Sequence, residues 1–224
     1  MGKHISLPLF PLDTVLFPGQ VLPLRIFEER YRRMIGQCIE KSWPFGVTLI
    51  QEGEEVDGPA KPFEVGTTAR VTQVERLDDG RLNIITVGEL RFRIAALDQA
   101  KDGYLRADVT LWPWSPSDEN ASQTLALNVR DRLRRYVGMI SQASGVELDT
   151  NDIPDEPTEL ACLTAVALQV DSLEKQDLLT SPSIAALLSK EAGLLRREMR
   201  MLQVILASPG RPTSEESSVV FSAN

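Results

Sequence analysis

Histidine is nearly absent from this sequence: His4 is the only one, and it lies at the start of the chain, where order is usually weakest. A Ser-His-Asp triad would need that residue fixed by contacts the sequence does not reveal, so nucleophilic catalysis of that kind is not expected. Cysteine is almost as scarce. Cys38 and Cys162 each sit among apolar residues at helical spacing, which reads as two reduced core thiols rather than a disulfide. One histidine and two distant cysteines cannot close a four-ligand zinc site. Phosphate-binding glycine loops are missing too. The only Gly-Lys step is Gly2-Lys3, and neither G-x-x-x-x-G-K-[ST] nor G-x-G-x-x-G occurs, so nucleotide chemistry of those kinds has no seat and no cofactor is expected. The last absence is an unbroken apolar run. Leu7 to Leu24, LPLFPLDTVLFPGQVLPL, is greasy, but Pro8, Pro11, Pro18 and Pro23 interrupt it, and each removes a backbone donor that a spanning helix needs. Lys3 is a token positive flank and no A-x-A cleavage site follows, so a signal peptide is not expected either. A cytoplasmic protein without a membrane partner is the expectation.

What is present is acidic and apolar in globular proportion. The formal net charge of −8 and pI near 4.9 would repel a phosphate backbone, whose binding depends on Lys and Arg displacing counterions; nucleic acid is therefore disfavoured as a partner. The 42% hydrophobic content over 224 residues suffices for one large or two modest domains. The carboxylate pairs Asp78-Asp79, Glu54-Glu55 and Asp155-Glu156 lie in turn and loop signatures, so they read as solvated surface rather than acid–base pairs.

The pattern divides the chain. VLPLRIF (21–27) puts Leu22, Leu24 and Ile26 on one face of a strand that Pro23 marks as an edge. EERYRRMIGQCI spaces Tyr31, Met34, Ile35, Cys38 and Ile39 as a short amphipathic helix with Glu28 and Glu29 at its start. FGVTLI (45–50) predicts a strand, and QEGEEVDGPAKP a surface loop. GTTARVTQVERL and RLNIITVG flank Asp78-Asp79-Gly80 as a hairpin. ELRFRI predicts Leu90, Phe92 and Ile94 on one face with Arg91 and Arg93 opposite, and YLRADVTLW predicts Leu105, Ala107, Val109 and Leu111 inward. Short strands so closely spaced suggest a curled sheet or incomplete barrel. After WPWSPSDEN the period becomes helical. A long helix from near Asp118, with Ser117 as a possible cap, uses Leu125, Val129, Leu133, Tyr136, Val137 and Ile140. A second follows Pro157 on Leu160, Leu163, Ala167 and Val170, and a third is SLEKQDLL. The longest uses Ile184, Leu187, Leu188, Leu195, Met199, Leu202 and Leu206. The aperiodic tail predicts disorder. The expected division is 1–115, strands with one short helix; 116–207, helices; 208–224, tail.

FPLDTVLFPGQVLPLRIFEERYRRMI, followed by GTTARV, DGRLNI and G-x-L-R-F-R-I, resembles the N-terminal, substrate-binding domain of the ATP-dependent Lon protease family across roughly residues 5 to 206. The likeness is greatest to bacterial proteins made of that domain alone. It implies an α+β fold, a PUA-like β pseudo-barrel followed by a C-terminal helical bundle. It also implies a non-catalytic module that binds unfolded or tagged polypeptide or a partner protein. The family's proteolysis uses a serine and a lysine in a separate domain, and Ser189-Lys190 does not reproduce that pair, since neighbours on a helix point apart. Candidate partner-contacting residues in or beside the quoted blocks are Phe17, Arg25, Glu28, Tyr31, Arg91, Trp112 and Trp114. Structural roles compete for several of them. Arg25, Glu28 and Arg33 would serve as an ion-pair brace, and Trp112 and Trp114, straddling Pro113, would fill the joint between strands and helices. Arg130, Arg132, Arg134, Arg135, Arg196, Arg197 and Arg200 read as solvated helix faces. A small-ligand or RNA-binding module and an enzyme with an unrecognised site are the alternative functions.

Overall fold

The computed structural model describes residues 4–53, 60–99, 103–115, 119–150 and 152–207. The Ser117 cap, the Glu54-Glu55 pair, the side chain of His4 and the tail lie outside the described residues. Six strands precede four helices, with one helix between the second and third strands: β1 His4–Leu12, β2 Val21–Ile26, α1 Glu29–Lys41, β3 Phe45–Glu52, β4 Lys61–Arg76, β5 Leu82–Gln99, β6 Leu105–Leu111, α2 Glu119–Ser144, α3 Pro157–Ala167, α4 Ser172–Leu179 and α5 Ile184–Ala207. The fold is α+β. The sheet order is β2-β5-β4-β3-β1-β6, and β5 pairs also with β6, so five strands close into a barrel while β2 hangs on the outside of β5.

Staggered pairing accommodates the prolines. β1 pairs with β6 over His4–Leu9 and with β3 over Leu9–Leu12, so Pro8 and Pro11 each fall where one flank of the strand is unpaired and a missing N–H breaks no ladder on that side. Pro23 lies on β2, whose outer flank carries no strand among the described residues. The Asp-Gly turn closes β4 onto β5 with Gly80 at φ +80°.

Two of the predicted faces are corrected. Between Thr67↔Arg91 and Ala69↔Gly88, β5 carries one residue more than β4, and such a bulge inverts the alternation. Leu90 is thereby exposed, whereas Phe92 and Ile94 keep the predicted face and pack with Leu7, Leu9, Ala107 and Val109. Arg91 and Arg93 share the other, as predicted, and Arg91 is buried there because the helical half covers it. Leu163 of α3 also points outward while Ala161, Cys162 and Ala165 are buried, because α3 is apolar on nearly all sides and only part of it can be covered.

The two halves share one core. Val15, Phe17, Leu49 and Val65 from the barrel side pack with Val129, Leu133, Tyr136, Leu160, Leu187 and Leu195 of the helices. Polar ties reinforce the seam: Gln176 Nε2 donates to Val65 O at 3.0 Å and Ser172 Oγ to Asp13 O at 2.9 Å. The Ser115 amide donates to Pro182 O at 2.9 Å, setting the starts of α2 and α5 side by side.

The barrel tolerates no side chain at Gly66. A Cβ there would lie 2.4 Å from Val47 O and 2.7 Å from Phe92 Cζ, contacts that only backbone movement could relieve. Gly66→Ala is expected to lower the melting temperature by about 5–10 °C in a calorimetric scan; an unchanged transition would show that the barrel yields at this point.

Candidate functional site

Of the seven candidate residues, the structure unites Arg91, Trp112 and Trp114. Arg91 is buried, with its guanidinium carbon 4.5 Å from the Trp112 ring centre and 3.9 Å from that of Trp114. Its Nη1 donates to Leu179 O at 2.5 Å and Ser181 O at 3.0 Å, in the break between α4 and α5. The Trp112 amide returns a bond to Arg91 O at 2.8 Å, and Arg93 covers the same Trp112 ring at 4.2 Å. Burial lowers the Arg91 pKa to about 10, the neighbouring Arg93 adding to the fall, so the residue is still a cation at neutral pH. This cluster fastens strands to helices, and its Arg91 side chain is not available to a visitor.

The other four candidates are dispersed. Phe17 is fully buried in the shared core, and Tyr31 stacks edge-on against Phe10 beneath α1. Glu28 pairs with Arg30 at 2.8 Å, while Glu29 pairs with Arg32 and Arg33 at helical spacing. The expected Arg25–Glu28–Arg33 brace is therefore replaced by local pairs at the start of α1: Glu29 reaches Arg32 and Arg33 at the i+3 and i+4 spacing a helix favours, and Glu28, its N-cap, turns to Arg30. Arg25 is exposed and closes no ion pair among the described residues. Two helix arginines depart from a solvated face: Arg130 bonds Pro154 O and pairs with Asp155, and Arg197 forks onto Glu174 with bonds of 2.6 and 2.8 Å.

Accessible apolar surface gathers elsewhere. A cleft of about 580 Å³ opens between residues 18–21, the turn entering β2, and α3, with Thr158, Glu159, Cys162, Leu163 and Val166 as its helical wall. The turn is rigid. Phe17 N donates to Gln20 Oε1 at 2.9 Å, Gly19 takes φ +80°, and Gly19 N and Gly88 N bond across to Gly88 O and Gln20 O, both at 2.9 Å. Gly88 is required beneath it, since a Cβ there would stand 2.3 Å from Phe17 O. The helical wall is fixed by Glu156, which caps α3 by accepting from Glu159 N at 2.7 Å, and by Pro157 in the first turn. Val21, 59% exposed, and Leu163, 37% exposed, form the lips. Burial pushes the Cys162 thiol up to about 12, so at neutral pH the cleft holds no thiolate. A second depression of about 810 Å³ carries Pro113, Trp114, Pro157 and Ile184, rimmed by Asp155 and Glu156. Sequence reasoning missed the cleft because its walls lie about 140 positions apart and Leu163 falls in phase with Leu160 and Ala167, so no local signal marks it.

Among the described residues, no helix is long and apolar enough to cross a membrane, and no three His, Cys, Asp or Glu side chains gather to hold a metal.

The family model of the ATP-dependent protease La (LON) substrate-binding domain matches residues 6–197. Lon protease 2 of Myxococcus xanthus is 27% identical over 201 residues, covering 88% of this chain and 24% of that protein. Lon protease 2 of Syntrophobacter fumaroxidans is 28% identical over 209 residues, covering 91% and 26%. The chain thus spans about a quarter of the length of the curated relatives it matches. Among solved structures, the N-terminal domain of Mycobacterium avium complex Lon protease superposes with a TM-score of 0.68 at 20% identity, over 86% of this chain and 98% of that one. The Lon N-terminal domain protein of Xanthomonas campestris gives 0.57 at 26% identity, over 92% and 99%.

Proposed function

We propose a function from one premise: this chain belongs to the ATP-dependent protease La (LON) substrate-binding domain family. It acts as a non-catalytic module that holds unfolded polypeptide, and the cleft between the β2 turn and α3 is where an apolar side chain of that polypeptide lodges. The observation that carries this reading is the pairing of two exposed aliphatic lips, Val21 and Leu163, over walls held by backbone bonds and a capped helix. A preformed apolar recess needs little ordering on binding, so modest contact area converts into affinity. Glu159 at the edge and the thiol of Cys162 offer no reacting pair.

Leu163 is exposed, so replacing it should leave the fold intact. Leu163→Asp is expected to weaken binding of a fluorescent, reduced and alkylated polypeptide by about 10- to 100-fold, the equivalent of one lost aliphatic contact and an unfavourable charge. Anisotropy titration measures it. Undiminished affinity in that variant would place the polypeptide elsewhere.

A further inference from the structure

The geometry points to the way a polypeptide lies on this surface: as an added strand on the free edge of β2, bonded at Val21 and Arg25, skipped at Pro23, and presenting an acidic side chain to Arg25. This rests on the polypeptide-binding reading above and specifies its backbone register.

The register of β2 on β5 runs without a break from Val21↔Val87 to Ile26↔Leu82. Just before it, Gly88 N donates to Gln20 O at 2.9 Å, and Thr86 Oγ1 donates to Leu22 O at 2.9 Å. In an antiparallel pair, residues alternate between bonding the neighbouring strand and facing away from it. The even residues Leu22, Leu24 and Ile26 therefore spend their backbone groups on β5, and Val21, Pro23 and Arg25 turn theirs to the open flank. That flank offers three carbonyls but only two N–H groups, because proline has none. Prolines on exposed edges keep sheets from zipping to one another. Here the gap stops a long foreign strand from forming a full ladder, yet leaves a donor at each end of a five-residue stretch for a short segment.

The side chains agree with that register. Pro23 and Arg25 share the outer face with Ile85, Gln73 and Glu75, along a groove of about 440 Å³. Glu75 is occupied by Asn83, which donates to it at 2.8 Å. Arg25 closes no ion pair among the described residues and only pulls on Asp79 from a distance. On a chain of net charge −8, an exposed cation left without a close partner complements a carboxylate on a visitor. At the other end of the stretch Val21 leads into the apolar cleft. The visitor is thus an extended segment with an acidic and an aliphatic residue four positions apart.

The test uses a labelled peptide, TETSTVT, a twin with the same side chains but alternate backbone nitrogens methylated on the bonding edge, and a copy with lysine replacing glutamate. We expect TETSTVT to bind saturably and to slow amide exchange at Val21 and Arg25, with the methylated twin weaker by at least about tenfold. Pro23→Val, which restores a donor, should tighten binding by about threefold to tenfold. Arg25→Glu should weaken it by a similar factor and reverse the preference between the glutamate and lysine peptides. Equal binding of the methylated twin, or unchanged exchange at both amides, overturns the added strand; if Leu163→Asp still abolishes polypeptide binding in that case, the cleft reading survives alone. Binding of neither these peptides nor the alkylated polypeptide overturns both.

Discussion

Replacing Arg91 with alanine is expected to destabilise the protein by about 3–5 kcal/mol and to separate the unfolding of the strands from that of the helices. The side chain does three things at one point. It donates to Leu179 O and Ser181 O where the chain passes from α4 to α5. It fills the space between the Trp112 and Trp114 rings. It also places a cation where two ring faces supply the negative potential that water would otherwise give. Hydrogen bonds involving a charged donor contribute about 1.5–3 kcal/mol each, and a buried truncation of this size adds a cavity; the terms share one geometry and will not sum. Urea unfolding followed by tryptophan fluorescence and by far-ultraviolet dichroism should give coincident transitions for the parent and divergent ones for Arg91→Ala. Arg91→Lys is expected to restore less than half of the loss, because an ammonium cannot stack between two rings while serving two carbonyls. A midpoint unchanged by either substitution would mean that the joint is held by its apolar contacts alone.

This joint also marks where sequence reading stops. Alternation in ELRFRI places Leu90 with Phe92 and Ile94, and it fails at Leu90 because a single extra residue in β5 re-aims it, while the burial of Arg91 comes from helices that cover the face alternation gives it. Nothing in the local sequence announces that bulge: Gly88 borders it, and what Gly88 meets is Phe17 O and the turn above it, about seventy positions away in the chain. Where the determinant is local, the reading holds. Pro23 specifies an edge strand because a missing donor is intolerable in a central one. Asp78-Asp79-Gly80 specifies a turn because Gly80 must take a positive φ. The stripe Tyr31, Met34, Ile35 and Cys38 specifies which side of α1 is buried. The cleft belongs to the other class. Val21 and Leu163 are unremarkable aliphatics in sequence, and they acquire meaning only when the barrel and α3 are set side by side by a core to which both halves contribute.

The second large effect concerns a carboxyl inside that core. Glu191 lies on the buried stripe of α5 with Ile184, Leu187, Leu188 and Leu195, is 0% exposed, and has no hydrogen-bond partner on either oxygen among the described residues. Burial pushes its pKa well above the usual carboxylate range, so the folded protein keeps the proton over a span in which the unfolded chain has released it. The sign follows from proton counting. In that span the unfolded state binds fewer protons than the folded one, so stability falls as pH rises, by about 1.4 kcal/mol per pH unit from this group. The fall begins near pH 4.5, the ordinary glutamate value, and continues until the folded-state group itself ionises; below it the group adds no slope. Glu191→Leu removes the titration and supplies an apolar side chain of similar size, a replacement that is often neutral or stabilising where the polar group had no partner. The variant is therefore expected to match the parent near pH 4 and to exceed it increasingly toward pH 8, with Glu191→Gln showing the same loss of slope but a smaller gain, since its amide is also unsatisfied. Urea midpoints across that range measure both. If Glu191→Leu were instead less stable at every pH by a constant amount, the carboxyl would have a bonding partner in the folded protein. The neighbouring helix α3, whose Cys162 thiol already feels Glu191, would be the place to look for it.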